Sequence, residues 1–318
     1  MEEAAAEDEE EEAAAEEEAA ADAPPPPARG GSKASAASEA PLRSGSKAMA
    51  VWLDDGRLEA AWPALRALSG LEPEALALHG SEIAARLDER DVYVRAAALR
   101  ALCRLEPEAL LQHAGDIAAR LEDDYEYVRY LALRALCRLD AEALARHAGA
   151  VASRLDHGRS EVRWLALRAL GRLEPDLLAQ DADAIAERLA DEDAQVRTAA
   201  LRTLGRLEPM VLAEHAGALA ARLGEGSEYE HCLALQALGR LEPEVLAGHA
   251  DAVAARLEDE DEHVRAGALI ALGGLAPAAL RRHLRALLPR LEDSDLHVRS
   301  AALRALAGVE LEEGEWPG

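Results

Sequence analysis

The chain has 318 residues; half are hydrophobic, only 3% are aromatic, and phenylalanine is absent. A formal net charge of −26 excludes a surface built for nucleic acid or an anionic membrane, since both need clustered Lys and Arg to displace counterions. Three cysteines without CxxC spacing exclude a disulfide framework or cysteine-rich zinc site and fit a reducing compartment.

Residues 1–22 hold twelve Asp or Glu and no Lys or Arg, and APPPPARGGSKASAASEAPLRSGSKA follows. That stretch has too little apolar surface to offset the entropy of ordering it, so residues 1–48 read as a disordered tail. The opening MEEAAAEDEEEE has neither the basic n-region of a secretory signal nor the Arg-rich character of a transit peptide, which predicts a cytoplasmic or nuclear location. The acidic tail is expected to compete for arginines farther along the chain.

From about residue 49 the chain repeats every 34 residues. Val-Arg recurs at Val94–Arg95, Val128–Arg129, Val162–Arg163, Val196–Arg197, Val264–Arg265 and Val298–Arg299; the missing register holds Glu230–His231. A fixed period of this length is the signature of a solenoid. Within one unit, Val128, Ala132, Ala135, Leu136 and Leu139 share a helical face, and Leu110, Ile117 and Leu121 share another, so each unit holds two helices. Pro107, Pro175, Pro209, Pro243 and Pro277 suit the first position of the first helix. Ser81, Gly115, Gly149, Asp183, Gly217 and Asp251 share a column of N-cap residue types, and Pro289 follows Arg285 in the last unit. That predicts a first helix that kinks or restarts there.

Other columns invite chemistry. Histidine recurs at His79, His113, His147, His215, His249 and His283, with Asp181 in the gap. Stacked helices stand about 8–10 Å apart, too far for neighbouring histidines to share one ion, so the column reads as structural. Cys103 and Cys137 lie in a column otherwise held by glycine or alanine, which asks for a small residue and not a nucleophile. Cys232 adjoins His231, but helix neighbours point about 100° apart, which argues against a catalytic pair. Arg86, Arg120, Arg154, Arg188, Arg222, Arg256 and Arg290 read as cations complementing the end of the first helix and the acidic turn beyond. No Gly-rich phosphate loop is present, and neither cofactor nor metal is expected.

The repeated unit, with Asp123, Asp191, Asp259 and Asp293 five residues before the Val-Arg position, resembles a HEAT repeat of the short type found in phycobilin-lyase-like proteins. The resemblance implies an all-α, right-handed α-solenoid of about seven 34-residue repeats over residues 49–311, with a short tail at 312–318. It further implies that the turn Asp and the Arg after Val join neighbouring repeats, and that the second helices line the concave side. A seam is expected at Glu230–His231. Deoxyhypusine hydroxylase, a HEAT-like enzyme, would imply His-Glu dipeptides, and none occurs.

Positions that vary between repeats are free to serve a partner. The stripe opposite the apolar face of the second helix contains Tyr93, Arg100, Tyr127, Tyr130, Arg134, Trp164 and Arg168. Read as exposed, these residue types form a binding hot spot. The expected function is a monomeric, non-enzymatic scaffold that binds a protein or peptide on its concave face. A phycobilin-lyase-like chaperone or transferase, implied by the repeat type, and a purely structural spacer are the alternatives.

Overall fold

The computed structural model describes residues 72–307. The expected tails, the degenerate first unit of the array and the competition by the acidic tail all involve residues outside that range. Among the described residues every element is an α- or 3-10 helix. They form seven pairs, the repeats numbered here from residue 72 in steps of 34. Two compact units result, one ending at Ala169 and the other starting at Leu170, within the second helix of repeat 3.

Each first helix starts where its sequence stops forbidding one. Proline occupies the first turn at Pro73, Pro107, Pro175, Pro209, Pro243 and Pro277, where its missing N–H costs nothing. Repeat 3 has Ala141 instead, and there the Asp140 carboxylate accepts the Ala143 N–H at 2.7 Å. The helix then breaks and restarts, as expected, but two residues before the Ser81 column. His113 sits at φ −111 and ψ 4, and the other members of the histidine column share that bridge conformation. In repeat 1 the residue after the break is Gly80, and a neighbour lies on it: a Cβ there would stand 2.6 Å from Nε2 of His113 in the next repeat. His113 therefore packs against the preceding repeat.

The second helices run over 11 residues each, from Val92–Leu102 to Leu296–Leu306. Asp91, Asp193, Asp261 and Asp295 cap them by accepting two backbone N–H groups apiece, a contribution of about 1 kcal/mol per cap. In repeat 2 the cap position is Tyr125, whose side chain caps nothing; the Asp123 carboxylate accepts the Tyr125 N–H at 3.0 Å instead.

The core is built of Val, Leu, Ile and Ala, with Val94, Leu99, Leu102 and Leu105 buried along with their counterparts through repeat 6; in the last repeat Leu303, the counterpart of Leu99, is exposed. Alanine and the small column allow close approach of backbones. The Cys103 thiol lies 3.8 Å from the Leu131 carbonyl, Cys137 stands likewise to Leu165, and a Cβ at Gly239 would touch Ala271 Cα at 3.4 Å.

The same side-by-side packing overturns the expected exposure of the aromatic stripe. Tyr127, Tyr130 and Trp164 are only 8%, 5% and 4% exposed. A second helix packs on the first helix of its own repeat and also on the neighbouring second helices, so rings at its flanks are covered and only its crest reaches solvent. The Tyr127 and Tyr130 rings stack at 6.4 Å between centroids, and the Arg168 guanidinium covers Trp164 at 5.5 Å. Tyr93, Arg134 and Arg168 are half-buried, and Arg100 is exposed. No transmembrane-length apolar helix occurs among the described residues.

Candidate functional site

Two kinds of surface feature arise from the repeats: the joints between turns and the crest of the second helices. At an intact joint the Arg after Val reaches forward to the next turn. Arg95 donates through Nε and Nη2 to both carboxylate oxygens of Asp123 (2.7 and 2.8 Å), and its Nη1 donates to the Glu89 and Arg90 carbonyls of its own turn. Arg265 treats Asp293 the same way, at 3.0 and 2.9 Å. The Arg265 guanidinium holds the Asp293 carboxyl below the usual carboxylate range, against the opposing effect of burial. Bidentate pairing of this kind fixes geometry as well as adding energy.

Two of the arginines near the end of the first helix, Arg120 and Arg154, reach in the opposite direction, whereas Arg222, Arg256 and Arg290 pair with carboxylates of their own repeat. Arg120 donates to the Leu87 carbonyl at 3.0 Å and pairs with Asp88; Arg154 donates to the Leu121 carbonyl at 3.1 Å and pairs with Glu122. Their role is to satisfy the end of the preceding first helix, which extends the expected dipole role across repeats.

Two joints deviate. At the first, His157 replaces the turn Asp and faces Arg129 Nε at 3.1 Å. At the second, Glu230 replaces Val and is wholly buried (0% exposed), with Oε1 3.0 Å from Arg197 Nε and Oε2 3.2 Å from Arg222 Nη2. The expected seam is therefore a rewired joint. Gly226, at φ +129, makes room for it: a Cβ there would stand 2.2 Å from Glu230 Oε2. Cys232 is poorly suited to attack, since burial, with Asp261, Asp259 and Glu228 nearby, pushes its thiol up to about 11. Among the described residues no group of three or more His, Cys, Asp or Glu is arranged to hold a metal ion.

On the crest, two arginine columns four residues apart share one side of the second helix. One contains Arg100, Arg134, Arg168 and Arg202, and the other Arg104, Arg138, Arg172, Arg206 and Arg240; every member of the second column is exposed. This second column was the part missed in reading the sequence, although an Arg precedes each Leu of the Leu105 series through Leu241. In the first unit Arg138 Nη1 donates to the Cys103 carbonyl, at the end of the preceding second helix. In the second unit Arg202, Arg206, Gln236 and Arg240 line a cavity of about 320 Å³ with Leu201, Gly205, Leu233 and Ala237. No Asp or Glu lines it. Tyr229 steadies its rim, with the Arg202 guanidinium 5.4 Å above the ring and Arg202 Nε 3.1 Å from the phenol oxygen.

Paired helices joined through repeated turns define an α-solenoid protein. The family model described as HEAT repeats matches residues 115–205 and 250–314. Among solved structures the chain is similar to an engineered protein, with 20% identity and a TM-score of 0.67 over 81% of this chain and 77% of that one. A designed armadillo repeat protein in complex with the peptide (KR)4 aligns at 17% identity and a TM-score of 0.48, over 72% of this chain and 98% of that one. No curated protein matches the chain.

Proposed function

We propose that this chain is a non-enzymatic interaction scaffold whose second-helix crest binds an acidic segment of a partner protein or peptide. The observation that carries this reading is the cavity lined by Arg202, Arg206 and Arg240 with no carboxylate, in a chain whose net charge is −26. Three guanidinium groups lining one cavity favour partner carboxylates, which they bind in planar, paired geometry. Long polyanions fit the reading less well, because the surrounding negative charge repels them beyond the screening length of about 8–10 Å. Burial of Tyr127, Tyr130 and Trp164 gives those rings a supporting role beneath the crest, while Arg100, Arg134 and Arg168 remain candidates for contact.

The test is fluorescence anisotropy with a labelled Asp/Glu-rich peptide and a Lys/Arg-rich control. Arg240→Gln combined with Arg206→Gln is expected to weaken the acidic peptide at least about tenfold, the equivalent of ~1.4 kcal/mol. Affinity is also expected to fall with added salt. Binding of the basic peptide in preference to the acidic one would overturn the reading, as would an unchanged affinity in the double variant.

A further inference from the structure

The joint between repeats 5 and 6 leaves an acceptor prepared for a guanidinium and supplies an imidazole. At the neighbouring intact joint, Asp293 accepts from the Asp295 N–H (3.0 Å), from Arg290 Nη1 (3.4 Å) and, through both oxygens, from Arg265. Asp259 occupies the same register one repeat earlier. It accepts from the Asp261 N–H (3.2 Å) and from Arg256 Nη1 (3.3 Å), the counterparts of the first two contacts. The residue in the register of Arg265 is His231, whose Nδ1 stops 3.9 Å from Asp259 Oδ2. An ionised carboxylate offers about four lone-pair sites, so Asp259 retains the capacity that Asp293 spends on Arg265.

Two further observations point to a ligand here. His231 is 92% buried, being 8% exposed, and neither of its ring nitrogens has a hydrogen-bond partner. A costly arrangement of that kind calls for an explanation. His231 also lines an open cavity of about 640 Å³ with Gly226, Ser227 and Glu228 of its own turn and Arg256, Glu258, Asp259 and Glu260 of the next. Those are the two turns that an arginine bridges at an intact joint, where Arg265 Nη1 also donates to the Asp259 and Glu260 carbonyls of its own turn (2.9 and 2.8 Å). The lining has four carboxylates, at Glu228, Glu258, Asp259 and Glu260, against the single guanidinium of Arg256. Its charge is opposite to that of the crest cavity.

We propose that this cavity is a socket for the arginine side chain of a partner polypeptide, which pairs with Asp259 as Arg265 pairs with Asp293. The site is independent of the crest and of the acidic ligand assigned to it. Arginine suits it better than lysine, because the intact joint uses two parallel N–H donors on one carboxylate plus a third aimed at backbone carbonyls, and an ammonium cannot supply that planar fork.

The experiment is an NMR titration of the full chain with N-acetyl-arginine amide, at constant ionic strength and with N-acetyl-lysine amide as control. The signals followed are the His231 ring and the amides of Gly226, Ser227, Glu228 and Glu260. Saturable shifts confined to these groups are expected with the arginine probe. His231→Arg, which supplies the missing guanidinium from within the chain, is expected to abolish them. Asp259→Asn, which keeps an acceptor for the Asp261 N–H, should weaken them at least about tenfold through loss of the charged pair. Absent or non-saturating shifts would overturn the proposal. So would an equal response to the lysine probe, or an unchanged response in a folded His231→Arg or Asp259→Asn protein.

Discussion

Arg197 and Glu230 stand where two other joints unite an arginine with an aspartate: Arg197 Nε lies 3.0 Å from a Glu230 oxygen, and its Nη1 still donates to the Asp191 and Glu192 carbonyls of its own turn. The acid has moved from the turn into the helix, to the column that elsewhere holds valine. Because Glu230 is wholly buried and also receives Arg222, removing it leaves two arginines short of an acceptor. Glu230→Val is expected to cost about 3–5 kcal/mol, the usual price of breaking a buried pair. The triple change Glu225→Asp, Glu230→Val and His231→Arg rewrites the joint in the pattern of Asp123 and Asp293 and should recover most of that loss. Urea denaturation checks both; a triple variant no more stable than Glu230→Val would show that the joint is not interchangeable.

Gly226 and Glu230 depend on one another. The backbone at Gly226 has φ +129, and a Cβ would collide with the Glu230 carboxylate. Gly226→Ala is therefore expected to destabilise by about 1–3 kcal/mol from backbone conformation alone, with a further loss from displacing Glu230. In a Glu230→Val background the second part disappears. A double-mutant cycle should show a coupling of about 0.5 kcal/mol or more; strict additivity would count against the contact.

His157 offers a test through pH. A neutral imidazole has one acceptor nitrogen, yet Nε2 faces Arg129 Nε at 3.1 Å and Nδ1 faces the Arg159 N–H at 3.1 Å. One contact is therefore always unmade. Burial, then Arg129, with smaller effects of Arg154 and Arg159, holds His157 below its ordinary value, against Glu126. The folded state thus binds fewer protons than the unfolded chain from the ordinary histidine value of 6.5 downward to the lowered folded value. Stability contributed by the neutral ring is present above 6.5 and is lost as pH falls through that window. His113, His147 and His231 are lowered too, with burial as the first cause in each, so they add in the same direction. His157→Asp gives Arg129 a carboxylate and the Arg159 N–H an acceptor at once. A gain of about 1–2 kcal/mol at pH 7 is expected, with a larger gain at pH 6. Thermal melts at the two pH values decide; a gain that shrinks on acidification would contradict the assignment.

What could be read from the sequence was whatever the repeats state several times. The helix pairs, their starts at proline, the break in the first helix and the Arg95–Asp123 type of joint all recur at a spacing of 34, so each register corroborates the others. What occurs once was harder. Glu230 looked like a lost pair because a single repeat cannot show that its carboxylate lands where the missing Asp would have been. The aromatic rings were misplaced for a different reason: a helical wheel gives each helix one buried face, whereas a second helix also has neighbouring second helices along its flanks. The crest arginines, by contrast, were visible as the residue before each Leu of the Leu105 series through Leu241 and needed only the wheel to be carried one turn farther.

The buried rings also make a prediction that separates support from contact. Trp164 is 4% exposed beneath Arg168, and Tyr130 is 5% exposed beside Tyr127. Truncation of either ring to alanine removes a large packed side chain, so Trp164→Ala and Tyr130→Ala are expected to cost about 3–5 kcal/mol each. Rings standing free in solvent would cost about 0.5 kcal/mol or less. Arg168→Ala should cost far less, about 0.5–1 kcal/mol for the cation–π contact. Trp164→Phe keeps most of the packing and leaves the crest unaltered, so its affinity for an acidic peptide should match that of the parent chain, while Arg240→Gln weakens it. If Trp164→Phe weakened binding as much as Arg240→Gln without loss of stability, the ring would touch the partner directly, and its burial would have to be relieved on binding.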